Sequence, residues 1–387
     1  TRSSITFIED ENGNVTRHGV KGFWSIPALA GLSTGKVTVL PSKEGWLNTT
    51  VCDKCDCLVV ETPYYRAKLS NDGSFVSLYD KELDREWVKE GCGFNKLHLY
   101  ADNPGMYDAW DILPNYKDVQ IALNVDKPLA LVSSDGSSAE FAVTFTTEKS
   151  TWKMILRFFA DSRAIEVENV VDWDEKHKLA KVNFGPDVLT RELVCDTSAG
   201  FVKRDLTKNT SWQQARFEVC HHKWCDMSES GSGIAIINEG KYGVGLEKDE
   251  ISLSLLRATI RPDITSDIGH HDFCYTILPH SGDAVEAQVN KTAMEYNVPL
   301  CKSNVTVPAA LRDTLNDCGL YLQAMKRSED GQYLILRLSE QDGRRGKIAF
   351  PFEVQTMNLI EDIEGSTKVV SYHPFELITV AVKPEDL

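Results

Sequence analysis

The chain has 387 residues, 42% of them hydrophobic, enough to bury a sizeable core and more than one average domain needs. Lys and Arg number 42 against 57 Asp and Glu, giving a net charge of -15 with no Lys/Arg-rich block to offset it. Such a surface repels nucleic-acid phosphates and anionic lipid, and no run of 18 or more apolar residues is present to span a membrane as a helix.

Taken in chain order, strand patterns dominate. Residues 81–89 have the composition of a two-turn helix. Phe141, Val143 and Phe145 then alternate with Ala142, Thr144 and Thr146, the period of a strand with one buried face. Residues 155–159 and 165–168 continue the pattern across the polar turn at 161–163, and further strands are predicted at 233–238, 242–247 and 252–256. Residues 283–294 predict a short surface helix. A boundary is expected near residues 300–307, and beyond it strands are predicted at 319–324 and 333–338. Asp330-Gly331 between them is a hairpin signal, because Gly accepts the positive φ that such a turn demands. Residues 379–383 close the chain as a strand. Turn signals every ten or so residues suit β-sandwiches rather than alternating βα units.

Several motifs weaken on inspection. Residues 31–36 are one residue short of a P-loop, and Val37 stands where a magnesium-binding Ser or Thr belongs. Gly231-Ser232-Gly233 lacks the strand–elbow–helix setting of a serine hydrolase. Cys52, Cys55 and Cys57 form a C-x2-C-x-C cluster, but no second Cys/His pair follows at zinc-finger spacing, so no metal is expected. Ten cysteines are too sparse for a disulfide scaffold and predict free thiols in a cytoplasmic protein. Against that compartment stand sequons at Asn14, Asn48, Asn209, Asn290 and Asn304. His221-His222 and His270-His271 are adjacent pairs, and neighbours on a strand face opposite ways, so each pair should give one inward and one outward ring. The chain opens on Thr1 rather than Met, which makes a cleavage product one expectation, and the lack of a visible secretory signal therefore says little about the intact protein.

Residues 106–112 pack Tyr107, Asp108, Trp110 and Asp111 into one short stretch. Aromatics offer a flat apolar face to a pyranose and carboxylates accept its hydroxyls; the same residues equally describe a loop whose rings plug a core. This stretch sits among others in one order: Glu61-Thr62-Pro63-Tyr64-Tyr65-Arg66, Ser77-Leu78-Tyr79-Asp80-Lys81, Lys178-Leu179-Ala180-Lys181-Val182-Asn183-Phe184, His222-Lys223-Trp224, Leu253-Ser254-Leu255-Leu256-Arg257-Ala258, and Leu278-Pro279-His280. In order and spacing, over roughly residues 58–380, the chain resembles the α-mannosidases of glycoside hydrolase family 38, most nearly the branch with cytosolic and vacuolar enzymes. Cys220, Cys225 and the Phe184-Gly185-Pro186 junction depart from the family pattern.

The resemblance implies an all-β fold: a galactose-mutarotase-like supersandwich over residues 1–305, including an N-terminal β segment 1–57, then a smaller β-sandwich over 306–387. It places catalysis on an upstream barrel and helical bundle holding zinc, in a retaining mechanism whose two carboxylates lie about 5 Å apart. Only about 60 residues precede the first matched stretch, too few for a barrel of roughly 250. No catalytic residue, metal ligand or cofactor is therefore expected here. The resemblance makes Tyr107, Asp108, Trp110, Asp111, Arg257 and His271 candidates for a wall of the mannose pocket, with Arg257 orienting a carboxylate. Arg216 and His222 are candidates for the seam with the catalytic domain, and that seam is also a competing role for the wall residues. The implied partners are the upstream domain and α-mannoside glycans, with a homo-oligomer left open. The alternative is a free-standing sugar-binding or mutarotase-like protein, for which His222 and Glu218 are the available acid and base.

Overall fold

Alternating apolar side chains set the faces of the largest sheet. In Ser138–Thr146 the side chains of Ala139, Phe141, Val143 and Phe145 are buried, and the antiparallel register sets them against Phe158, Leu156, Met154 and Trp152 of Thr151–Phe159. The computed structural model describes residues 57–298 and 308–386, apart from Gly136, Lys248 and Asp317. Upstream it describes only the backbone of four strands, Thr6–Glu9, Val15–His18, Thr38–Leu40 and Asn48–Cys52. The predicted boundary at 300–307, residues 31–36, Cys55, Asn14 and Asn304 lie outside the described residues.

The described residues of 42–196 and 203–297 form one compact unit, and those of 1–41, 197–202 and 298–387 another. The first is built mainly from a nine-stranded and a six-stranded sheet. The nine run Asn124–Ser134, Ser138–Thr146, Thr151–Phe159, Ile165–Trp173, Gly269–Ser281, Ser232–Asn238, Trp224–Glu229, Glu192–Thr197 and Gly200–Asp205. The six run Gln120–Ile121, Phe94–Ala101, Lys178–Phe184, Ile251–Arg257, Gly243–Leu246 and Glu218–Cys220. Their inner faces meet through aromatics. Phe94 and Phe184 of the smaller sheet pack edge-to-face at 5.7 Å, and Phe184 meets Tyr275 of the larger sheet at 5.8 Å. The buried Tyr275 hydroxyl is not left unpaired; it donates to Asn95 Oδ1 at 2.6 Å.

In the other unit, five strands run Tyr321–Arg327, Leu334–Ser339, Leu377–Val382, Gly346–Met357 and Ile363–Tyr372. Leu311 and Leu315 of the helix Ala309–Asn316 cluster with Leu336, Leu338, Val354, Val380 and Val382. The Asp330-Gly331 turn forms as predicted, with Gly331 at φ 74° and its amide donating to the Ser328 carbonyl.

Both helix expectations need correction. Residues 81–84 are a turn, and Arg85–Glu86 is a strand paired with Tyr79 and Asp80. The cause is Asp80, whose Oδ1 accepts from the amides of Glu82 and Leu83, while Asp84 takes φ 49° and stops any helix. Residues 284–288 are likewise a turn held by Asp283, and Gln288 at φ 54° delays the helix to Val289–Asn297. Asn290 in that helix is buried and accepts from Trp224 Nε1 at 3.1 Å, so its sequon is not displayed.

The unusual Gly185 has a packing reason. A Cβ there would lie 2.4 Å from Cys92 Cβ and 3.2 Å from the Gly93 carbonyl, which the Gly185 amide binds. Gly185→Ala is expected to cost about 2 kcal/mol in urea unfolding, because neither contact belongs to a flexible side-chain end. A cost below about 0.5 kcal/mol would mean that residues 92–93 can give way.

Candidate functional site

Residues 106–111 form an outward loop, and one carboxylate inside it decides which side chains face solvent. Asp108 is buried; its Oδ2 accepts from the Ile260 amide at 2.7 Å and its Oδ1 from the Arg261 amide at 3.0 Å. Burial alone would raise its pKa, but those two amides and the nearby His177 hold it below the usual carboxylate range. The carboxylate thus anchors the loop to residues 260–261. Tyr107 and Trp110 are then thrown outward, 64% and 69% exposed, their rings edge-to-face at 6.0 Å. Asp111 is exposed, and its Oδ1 accepts from the amide of Ile112 at 3.0 Å.

Arg257 ties this loop to the six-stranded sheet. Its guanidinium makes a two-point pair with the buried Asp102 and also donates to the Asp111 carbonyl. Its own amide donates to Asp267 Oδ2 at 2.8 Å, and His271 Nε2 lies 2.8 Å from the Asp267 carbonyl. Tyr107, Asp108, Trp110, Asp111, Arg257 and His271 therefore fall along one connected path. Arg216 does not join them: it caps the short helix Ser211–Ala215 and is exposed. His222 is half-buried, its ring 5.5 Å from that of Tyr242. Of the two histidine pairs only His270-His271 lies on a strand, where His271 is half-buried and His270 exposed beside Asp172. His221-His222 falls in the turn before Trp224, with His221 fully buried, so its split does not come from strand alternation.

Beside Arg257 a cavity of about 480 Å³ opens on the six-stranded sheet. Its polar lining is Glu218, Lys241, Tyr242, Ser254, Arg257 and Asp267, with Ile112, Leu179 and Leu256 among the apolar residues. Beneath it lies Lys181, with no exposed side-chain surface, whose Nζ donates to Glu218 Oε1 at 2.7 Å and to Ser254 Oγ at 2.8 Å. Tyr116 donates to the same Glu218 oxygen at 2.9 Å. Gly245 leaves room for this network, since a Cβ there would lie 2.7 Å from Glu218 Oε1. Of these residues, only Arg257 and Glu218 stood out in the sequence. A lysine inside the mostly apolar Leu179–Phe184 run, which also holds Asn183, was the available signal for Lys181. Among the described residues no three His, Cys, Asp or Glu side chains converge to hold a metal, and no helix is long and apolar enough to cross a membrane.

Two facing antiparallel sheets define an all-β sandwich. Comparison with known proteins narrows this. Residues 60–265 match the C-terminal domain of glycosyl hydrolases family 38, and residues 319–380 match that family's C-terminal beta sandwich domain. Alpha-mannosidase 2C1 of Homo sapiens is 31% identical over 288 residues, 72% of this chain and 28% of that protein. Alpha-mannosidase G of Dictyostelium discoideum is 28% identical over 357 residues, 83% of this chain and 32% of that one. An alpha-mannosidase crystal structure from Enterococcus faecalis V583 shares the fold at TM-score 0.66 and 12% identity, over 90% of this chain and 44% of its own. The chain belongs to glycoside hydrolase family 38. It spans about a third or less of the length of these two curated relatives.

Proposed function

We propose that this chain is the accessory β half of a cytoplasmic α-mannosidase that removes terminal α-D-mannosides with retention, and that it is inactive alone. The zinc and both reacting carboxylates belong to an upstream catalytic domain, which the family membership supports. This half supplies a wall of the sugar pocket. One observation carries that role: Tyr107 and Trp110 are held outward by a loop whose single buried carboxylate, Asp108, is spent on backbone amides. Two large exposed rings on a rigidly anchored loop are costly on a free surface and suit a face that meets sugar or the neighbouring domain.

The test joins this chain to its upstream region and follows p-nitrophenyl α-mannoside hydrolysis. The joined protein turns over and the isolated chain does not. Trp110→Ala in the joined protein lowers kcat/KM about tenfold, the loss of one good aromatic contact. Turnover by the isolated chain, or an unchanged Trp110→Ala enzyme, would overturn the reading.

A further inference from the structure

We propose that the cavity over Lys181 binds one neutral hexopyranose unaided, the ring lying against Tyr242 and the hydroxyls shared among Glu218, Ser254 and Asp267. The proposal deepens the sugar-wall reading and rests on it for the kind of ligand this face meets; the residues here are different ones.

The size is right. The depression, about 480 Å³ and open to solvent on one side, has room for one pyranose ring with a few waters. Charge narrows the class. Glu218 is matched by Lys181 and Arg257 by Asp102, so neither offers an uncompensated charge to an ionic ligand. Lys241 sets its ammonium 4.2 Å from the Phe273 ring centroid, within the field of Asp267. A ligand rich in hydroxyls and without charge is what such a lining accepts.

The buried lysine is the strongest sign that Glu218 serves a ligand. Holding an ammonium away from water is expensive, and burial lowers the Lys181 pKa even with Glu218 pulling the other way. Lys181 and Tyr116 both donate to Oε1, leaving Oε2 to accept from a hydroxyl. Tyr242 stands at the rim, 54% exposed and braced against the His222 ring, where a pyranose face can lie on it.

Isothermal titration of the isolated chain with methyl α-mannoside, glucose, glucuronate and glucosamine tests this. The two neutral sugars saturate in the millimolar range and the charged ones bind at least about tenfold more weakly. Tyr242→Ala and Glu218→Gln each weaken neutral-sugar binding about tenfold, with the Tyr242→Ala melting temperature unchanged. No saturation by either neutral sugar, preference for a charged one, or full affinity in Tyr242→Ala overturns the proposal. Loss of binding in Trp110→Ala with Tyr242→Ala unaffected overturns it too, while leaving the wall reading intact. Conversely, sugar binding that survives alongside a fully active Trp110→Ala joined enzyme sinks the wall reading alone.

Discussion

Lys181→Met is expected to lower the unfolding free energy by about 3 kcal/mol, seen as an earlier urea midpoint with the slope unchanged. The methionine fills nearly the same space, so packing is not the main loss. What is lost is the positive charge 2.7 Å from Glu218, whose side chain is only 14% exposed and so poorly placed to be rescued by water. Ser254 loses its donor at the same time, and the Tyr116 hydroxyl alone remains on Glu218. Glu218→Leu added to Lys181→Met should recover most of the loss, because removing both charges together spares the desolvation of either. The double-mutant cycle is therefore the decisive measurement. If the double variant is as unstable as the two singles summed, the pair is not coupled and the cavity floor is not held by it.

That network also shows what a sequence displays and what it hides. The strands at 138–146 and 151–159 were legible because each has one buried face and shows it with a period of two. Lys178–Phe184 is different: from Leu179 onward every residue is buried, so no alternation marks which way Lys181 points. Its partner Glu218 is 37 residues away on a three-residue strand. They meet although the sheet order places Ile251–Arg257 and Gly243–Leu246 between their strands, reaching each other across the bare Gly245, a long-range fact that local pattern does not carry.

The rim loop was half-legible for a related reason. The residue types of Tyr107–Asp111 point to sugar chemistry, yet composition treats Asp108 and Asp111 alike. Only the approach of residues 260–261, some 150 positions later, turns Asp108 inward as an anchor and leaves Asp111 in solvent. The missed turn at 81–84 has the opposite cause. There the deciding group is local: a side-chain oxygen of Asp80 outcompetes the helix for the next two amides, and helix propensity summed over the window cannot register one such bond.

Acid should weaken the fold in a window set by His221. Burial, with the neighbouring His222 adding to it, lowers the His221 pKa from 6.5 to about 4. The Asn238 amide nitrogen lies 2.9 Å from Nε2, a bond that needs the unprotonated ring nitrogen as acceptor. The unfolded chain holds this proton more tightly than the folded one. Stability from His221 is therefore complete above the unfolded value and is lost as the pH falls through the window down to about 4, by about 3 kcal/mol in all. His98, also lowered to about 4 by burial and by Lys96 and Lys117, adds in the same direction. Two other classes act elsewhere or oppositely. Asp108 and Glu175, held below the ordinary carboxylate values by hydrogen bonds, lose their contribution only at lower pH. His270, raised by its hydrogen bond to Asp172, gains stability on acidification instead. Urea unfolding of the native chain and His221→Gln across this window separates them. The variant starts less stable at neutral pH, and the gap should close as the solution is acidified, since Gln has no proton to gain. Parallel pH curves for the two proteins would show that His221 is already charged, or freely hydrated, in the folded state.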